Sequence, residues 1–340
     1  MKSFDKSKIN KILIIKPAAI GDVLLATPVI ENLRYNFPKA EIIFLTQKYC
    51  REALIDNPYL DRVLTYDLTV DSSYCLIRNI RKQNYDLVLD LFSNPRTALI
   101  TYMSRAQYKV GYPFRLRSYA YNIKVKPRGG EVHNIDFNLD SLLQLGLEVV
   151  SRHPYFHVSN IHDEFAETFL RKNGLDSSSV IGINPAGTWQ TKVWDPEKYA
   201  ELTKMLEKDH KILLFWGNEG EKSVAEKVKK LSGVNAAIIP EVDLKYMAAL
   251  IKKCRLFLTN DSGPMHIAWT LGVQIAAIFG PTNSKLQGPL GDKSVVIKNE
   301  SLSCLGCNLT QITDCPFDHS CMSDLSPMQV YDVIRKANLC

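Results

Sequence analysis

Four junctions in this 340-residue chain carry side chains that could do chemistry. The first reads KILIIK, PAAIGD, VLLATP over residues 11–28. Gly21 permits a tight turn and Asp22 opens a helix at the carboxyl edge of a first strand. A carboxylate there can take a proton from a hydroxyl, or it can simply cap the helix. The second junction is RLFLTNDSGPMHIA, residues 255–268. The amides opening its helix suit an anion, Gly263 lets a phosphate approach the backbone, and His266 faces the same side as Ser262. The plainer alternative is a capping turn with a buried histidine. The third is NPAGTWQTKVW, residues 184–194, where small residues, the Thr188 hydroxyl and the Lys192 cation suit a diphosphate. A surface loop with a solvated lysine would read the same way. The fourth is WGNEGE, residues 216–221. Glu219 or Glu221 could hold ribose hydroxyls, or merely complement a helix dipole.

These junctions need strands that end where helices begin. Short β-rich runs alternate with longer helical patterns, the mark of βαβ units and parallel sheets. In the first half, 11–16, 41–46, 85–91 and 107–111 read as strands. Residues 22–36 read as one helix with Pro28 as a kink or early-turn residue, and 133–146 as another. In the second half, 180–183, 211–215, 236–239, 255–259 and 274–279 read as strands. Helices are expected at 196–208, 219–231, 243–252, 262–271 and 327–338. The fold class is α/β, with two doubly wound domains in series, joined near 147–178 and facing a cleft. Ligands in such sheets bind outside the carboxyl ends of the strands.

Composition narrows the field. Hydrophobic residues are 46% and charged residues 23%, which excludes disordered, collagen-like and coiled-coil chains. The net charge of +6 is compatible with an anionic ligand or a membrane surface. No apolar run reaches the roughly 18 residues of a membrane span, and the first 16 residues lack the apolar stretch of a signal peptide. A cytoplasmic location is expected, with the eight cysteines mostly reduced. G-x-G-x-x-G after a strand and G-x-x-x-x-G-K-[ST] are both absent, disfavouring dinucleotide dehydrogenases and P-loop NTPases. H-E-x-x-H and G-x-S-x-G are missing too. Residues 105–130 carry seven cations and no acid: Arg105, Lys109, Arg115, Arg117, Lys124, Lys126 and Arg128. An acidic sugar or lipid phosphate is their natural partner. Tyr108, Tyr112, Phe114, Tyr119 and Tyr121, interleaved among them, could also stack nucleic-acid bases, but no nucleic-acid motif accompanies them and no such partner is expected.

Taken in order, the four blocks resemble a known family: the inverting ADP-heptose:lipopolysaccharide heptosyltransferases of glycosyltransferase family 9, with a GT-B fold. The matching stretches are ILIIKPAAIGDVLLATPVIENLRYNFPKAEI, GINPAGTWQTKVWDPEKYAEL, LTNDSGPMHIAWTLGVQIAAIFGPTNS and CLGCNLTQITDCPFDHSCMSDLSPMQVYDVI. The most specific is NDSGPMHIA followed by a strand and FGPT.

The resemblance implies an acceptor-binding Rossmann-like domain over 1–160 and a nucleotide-sugar domain over 161–325. A C-terminal helix, 326–340, would return to the first domain. It implies Asp22 as general base in a single displacement that releases ADP and inverts the anomeric centre. Lys192 would act with it in catalysis. Thr188, Glu221, Asp261, Ser262, Gly263, Met265 and His266 would bind the donor, and Arg115, Arg117 and Lys124 the acidic lipopolysaccharide acceptor. No cofactor is required and an ADP-sugar is co-substrate. The expected place of work is the cytoplasm, either free or in peripheral contact with the inner face of the cytoplasmic membrane. A relative using another nucleotide sugar or surface glycan, or a non-catalytic nucleotide-binding protein, would share much of this pattern. A helix N-terminus also lowers the basicity of Asp22, which a desolvated site would have to offset. Cys304, Cys307, Cys315 and Cys321 could hold a structural zinc, but their spacing fits only roughly and no metal is assigned. Cys50, Cys75 and Cys254 are expected in the core.

Overall fold

Parallel strands covered on both faces must be apolar nearly throughout, and the strands of this chain follow that rule. The structure, a computed structural model, describes residues 4–67, 70–177 and 179–339. It divides into two units, Met1–His157 and Val158–Cys340. The first holds β1 (Lys11–Ile15), β2 (Glu41–Thr46), β3 (Arg62–Thr65), β4 (Leu87–Asp90), β5 (Tyr108–Gly111) and β6 (Ile123–Lys124). They form one parallel sheet in the order β3-β2-β1-β4-β5-β6, with Ile12 beside Ile42 on one flank and Leu87 on the other. The second unit holds β7 (Val180–Asn184), β8 (Lys211–Leu214), β9 (Ala237–Ile238), β10 (Leu256–Asn260), β11 (Gln274–Ile278) and β12 (Ser294–Ile297). Their order is β12-β11-β10-β7-β8-β9, again parallel.

Several expected elements take a different form. The helix expected over 22–36 is two helices, Ile20–Leu24 and Thr27–Asn36, with Pro28 in the first turn of the second. Proline lacks the N–H that would continue the first helix, and Thr27 Oγ1 closes it by donating to Leu24 O at 2.7 Å. The strands β3, β6 and β12, at or near sheet edges, are short and partly exposed, and carry little periodic signal. The helices Ser73–Lys82, Pro95–Met103 and Asn160–Lys172 complete the crossovers and the join between units. Residue 178 of that join lies outside the described residues. The helix Pro327–Lys336 buries Val330 and Ile334 in the core of the second unit, with Leu202 and Leu206. Cys75 is exposed, whereas Cys50 and Cys254 are buried.

Each sheet encloses its own apolar core. Leu13, Ile15, Ile43, Leu45 and Val88 centre the first, and Ile183, Trp194, Tyr199, Leu214, Leu258 and Ile278 the second. Gly182, midway along β7, makes one contact of that second sheet possible. A Cβ there would lie 2.8 Å from both Cys254 Sγ and the Phe257 ring, and 2.9 Å from Phe215. The two phenyl rings already pack edge to face at 5.1 Å. Gly182→Ala is therefore expected to destabilise the protein by about 1–3 kcal/mol through overpacking, measured by chemical denaturation.

Candidate functional site

In the first unit, β1 ends at Ile15 and the chain turns through residues 16–19 into the helix Ile20–Leu24. Ala19, not Asp22, occupies the cap position. Asp22 lies in the helix's first turn and is half-buried, so capping does not account for it. Two side chains brace the turn from below, Cys50 Sγ and Tyr49 Oη, both donating to Ala18 O, at 3.2 and 3.4 Å. Burial pushes the Cys50 thiol up to about 12, so it serves as a neutral donor.

Beside Asp22 the structure reveals a residue the sequence reading passed over. Lys16, directly after β1, is buried, and its ammonium donates to Leu91 O at 3.0 Å and Asn138 Oδ1 at 3.3 Å. The Phe92 ring centre lies 6.0 Å from it. Burial lowers the Lys16 pKa, while the Asp22 and Asp90 carboxylates oppose that shift. Asp90 is itself buried at the end of β4, accepting from the Ser93 and Phe92 amides and from Tyr121 Oη. Burial raises its pKa and these hydrogen bonds pull it back. The signal for Lys16 was a lysine closing an otherwise apolar strand.

The basic segment is less uniform than its sequence suggests. Arg115 and Lys124 are exposed, whereas Arg117 lies against the Phe114 ring and donates to Phe114 O at 3.0 Å. Arg128 pairs with Asp140. Of the interleaved aromatics, Tyr108, Tyr112 and Tyr121 are buried and cannot stack an outside base, leaving Phe114 and Tyr119 at the surface.

In the second unit, the loops after β7 and β10 are sewn together by their asparagines. Asn184 Nδ2 donates to Ala186 O at 3.2 Å and to Ser262 Oγ at 3.3 Å. Asn260 Oδ1 accepts from Trp194 N and Tyr199 Oη. Lys192 Nζ reaches Asp261 Oδ2 at 2.8 Å and sits 4.5 Å from the centre of the Trp189 ring. Thr282 Oγ1 and Gln287 Nε2 each donate to the same Oδ2 at 2.7 Å. Asp261, expected to bind the donor, is buried and holds Lys192 in place. Thr191, next to Lys192, is gripped by the cysteine-rich segment through Leu309 O and His319 Nε2.

The remaining candidates fall in three groups. Ser262 caps the helix Gly263–Thr270 by position, but its side chain makes no cap bond; its hydroxyl pairs with Thr259 and Asn184 instead. That leaves the amides of the first turn, at Gly263, without a side-chain acceptor from Ser262. Thr188 is exposed beside Gly187. Glu221 folds its carboxylate back onto Gly217 N at 2.8 Å, while Glu219 pairs with Lys222 at the surface. Met265 does not line an accessible surface as expected: it is fully buried, on the helix face that also buries His266. Cys304, Cys307, Cys315 and Cys321 are free thiols, and burial raises Cys321 to about 11, with the other three thiols adding to the shift. Among the described residues, no group of three or more His, Cys, Asp or Glu side chains is arranged to hold a metal ion, and no helix is long and apolar enough to cross a membrane.

Two doubly wound parallel sheets with polar loops at the carboxyl ends of their strands define an α/β protein with the two Rossmann-like units of the GT-B class. Residues 74–314 match the family profile of glycosyltransferase family 9 (heptosyltransferase). The chain belongs to that family and is a glycosyltransferase. It is similar to a lipooligosaccharide heptosyltransferase 2 of Campylobacter jejuni, 31% identical over 51% of this chain and 55% of that one. It is 26% identical to a lipooligosaccharide heptosyltransferase 2 of Haemophilus ducreyi, over 85% of this chain and 88% of that one. Its fold matches the family 9 glycosyl transferase of Veillonella parvula with a TM-score of 0.85, at 22% identity and 99% coverage of both chains. It also matches E. coli heptosyltransferase WaaC with ADP-2-deoxy-2-fluoro heptose, with a TM-score of 0.73 at 19% identity, covering 96% of this chain and 99% of that one.

The buried Lys16 makes a measurable prediction. Its folded pKa lies below its unfolded value, so the unfolded chain binds more protons between the two. Stability therefore rises with pH across that window, and the penalty is greatest below it. In Lys16→Met this slope should vanish, seen as unfolding midpoints of the two proteins that change relative to each other as pH approaches 10.

Proposed function

We propose that the protein transfers heptose from ADP-heptose to the inner core of lipopolysaccharide, in one displacement that inverts the anomeric carbon. The observation that carries this reading is Lys192, an ammonium pinned by Asp261 beside the first turn of the helix Gly263–Thr270, in a chain of the heptosyltransferase family. A fixed cation next to uncapped amides suits the diphosphate of a nucleotide sugar. The fold's likeness to a heptosyltransferase carrying an ADP-heptose analogue supports the choice of donor. The names of the heptosyltransferase relatives support a lipopolysaccharide-type acceptor.

The step balances as follows. The acceptor hydroxyl gives its proton to the Asp22 carboxylate, and its oxygen forms the new bond to the anomeric carbon. The bond from that carbon to the β-phosphate oxygen breaks, and its electron pair leaves with ADP. Lys192 and the amides near Gly263 neutralise the charge that develops on the departing diphosphate, where stabilisation lowers the barrier most. Thr188, on the loop after β7, would meet the phosphates, and Glu221, in the first turn of the helix Glu219–Ser232 that follows β8, would meet the ribose hydroxyls. Arg115, Arg117 and Lys124 meet the acidic acceptor from the first unit. The Asp22 carboxylate favours the charged form of the buried Lys16, so a change of charge at Asp22 is felt at that neighbour.

Two substitutions test this reading by steady-state kinetics with ADP-heptose and by calorimetric titration with ADP. Asp22→Asn should lower turnover by about 10²–10⁴-fold while the ADP dissociation constant stays unchanged. Retained turnover would remove Asp22 from the mechanism. Lys192→Ala should raise the ADP dissociation constant by about tenfold or more and slow turnover as well; wild-type ADP affinity would contradict the diphosphate role.

A further inference from the structure

Four large apolar side chains stand exposed together on the first unit. Leu99 and Tyr102 lie one turn apart on the helix Pro95–Met103, at 42% and 50% exposure. Leu116 and Tyr119, at 91% and 55%, belong to the 3-10 turn Arg115–Ala120, which packs against that helix. Tyr102 and Tyr119 join the two elements edge to face at 5.5 Å. The helix turns Ala98 and Thr101 into the core, so its outer stripe serves no internal packing. Leu116, between two arginines, is the most exposed large apolar side chain among the described residues.

The charge around this patch has one sign. From residue 91 to 130 the chain holds eight Lys and Arg residues and neither Asp nor Glu. Arg105 and Arg115 are exposed, and Lys109 lies 5.9 Å from the Tyr102 ring centre. Exposed aliphatic and aromatic groups ringed by cations match the boundary between headgroups and acyl chains of an anionic bilayer. A nucleic acid would use the cations and tyrosines but leave Leu99 and Leu116 without a partner. The helix that carries the patch starts at Pro95, shortly after Phe92, which lies beside the Lys16 ammonium.

We infer that this patch docks the enzyme on a bilayer surface bearing anionic headgroups, Leu116 and Tyr119 entering the interface while the surrounding cations meet lipid phosphates. Its use in presenting a lipid-anchored acceptor rests on the function proposed above; the docking itself does not.

The test is co-sedimentation of the full-length protein with vesicles of phosphatidylcholine alone or mixed with phosphatidylglycerol, at physiological ionic strength. The wild type should bind the mixed vesicles in preference, and added salt should weaken that binding. The double variant Leu116→Ser/Tyr119→Ser should bind them about tenfold or more weakly, while staying folded with a cooperative unfolding transition, since Leu116 is exposed and Tyr119 loses only its contact with Tyr102. Its turnover should match the wild type on a deacylated, water-soluble acceptor and fall on the same acceptor embedded in vesicles. Wild-type binding by the double variant, equal binding to neutral and anionic vesicles, or no vesicle binding at all would each overturn the docking surface. Self-association abolished by the same substitutions, without vesicle binding, would overturn it in favour of contact between copies. Vesicle binding without heptosyl transfer would leave the docking surface standing and defeat the proposed function; transfer without vesicle binding would do the reverse.

Discussion

The constraint behind both units is that each parallel sheet begins in its middle. β1 lies between β2 and β4, and β7 lies between β8 and β10. Right-handed crossovers that leave a central strand in opposite directions place helices on opposite faces of the sheet. Between the two central strands no helix covers the carboxyl ends, and a crevice opens there. The loops after β1 and β4, and after β7 and β10, are therefore brought side by side by topology before any side chain contributes.

Both units answer this constraint with a lysine that reaches across the reversal. Lys16 follows β1 and donates to Leu91 O, just beyond β4. Lys192 follows β7 and pairs with Asp261, just beyond β10. The partners differ, and with them the electrostatics. Lys16 has neutral oxygens as its hydrogen-bond acceptors, so burial disfavours its charge, and the Asp22 and Asp90 fields only partly restore it. Lys192 has a carboxylate at hydrogen-bond distance, so its position is fixed by a charge-assisted bond of the strong kind. One unit thus holds a cation sensitive to the charge of Asp22, and the other a cation fixed by its own carboxylate partner.

This difference explains which parts of the molecule the sequence made legible. Alternation of apolar runs with helical patterns depends on local residues, and the central strands β1, β2, β7, β10 and β11 were readable because both their faces are buried. β3 and β6 were not: Arg62, Thr65 and Lys124 sit where one face meets water, and little periodic signal survives. Pro28 was noticed, but whether it kinks or divides a helix turns on the Thr27 hydroxyl closing the helix before it. Asp22, Lys192 and Asp261 stood out because they follow strands. Thr282 and Gln287 did not, since their bond to Asp261 depends on β11 lying next to β10, a fact of strand order that local spacing does not carry. The burial of Met265 escaped notice for the same reason: the four successive residues Met265–Ala268 point in different directions yet are all buried, so the helix is enclosed on several sides by neighbours whose positions the sequence does not give.

In the proposed function, Asp261 would serve ligand binding through Lys192 rather than by meeting the ligand. Its Oδ2 accepts from Lys192, Thr282 and Gln287 together. A buried carboxylate satisfied by one ammonium alone would be left costly whenever that ammonium turned to an incoming anion. Two neutral donors on the same oxygen keep the carboxylate solvated by protein whichever way the lysine leans. An ammonium has three N–H groups, and the bond to Asp261 occupies one of them, so the cation can be held and still face phosphate oxygens. Trp189 confines the ammonium from another side through its ring face. In the proposed reaction the charge is in place before the diphosphate begins to leave, and little reorganisation is needed as the bond breaks.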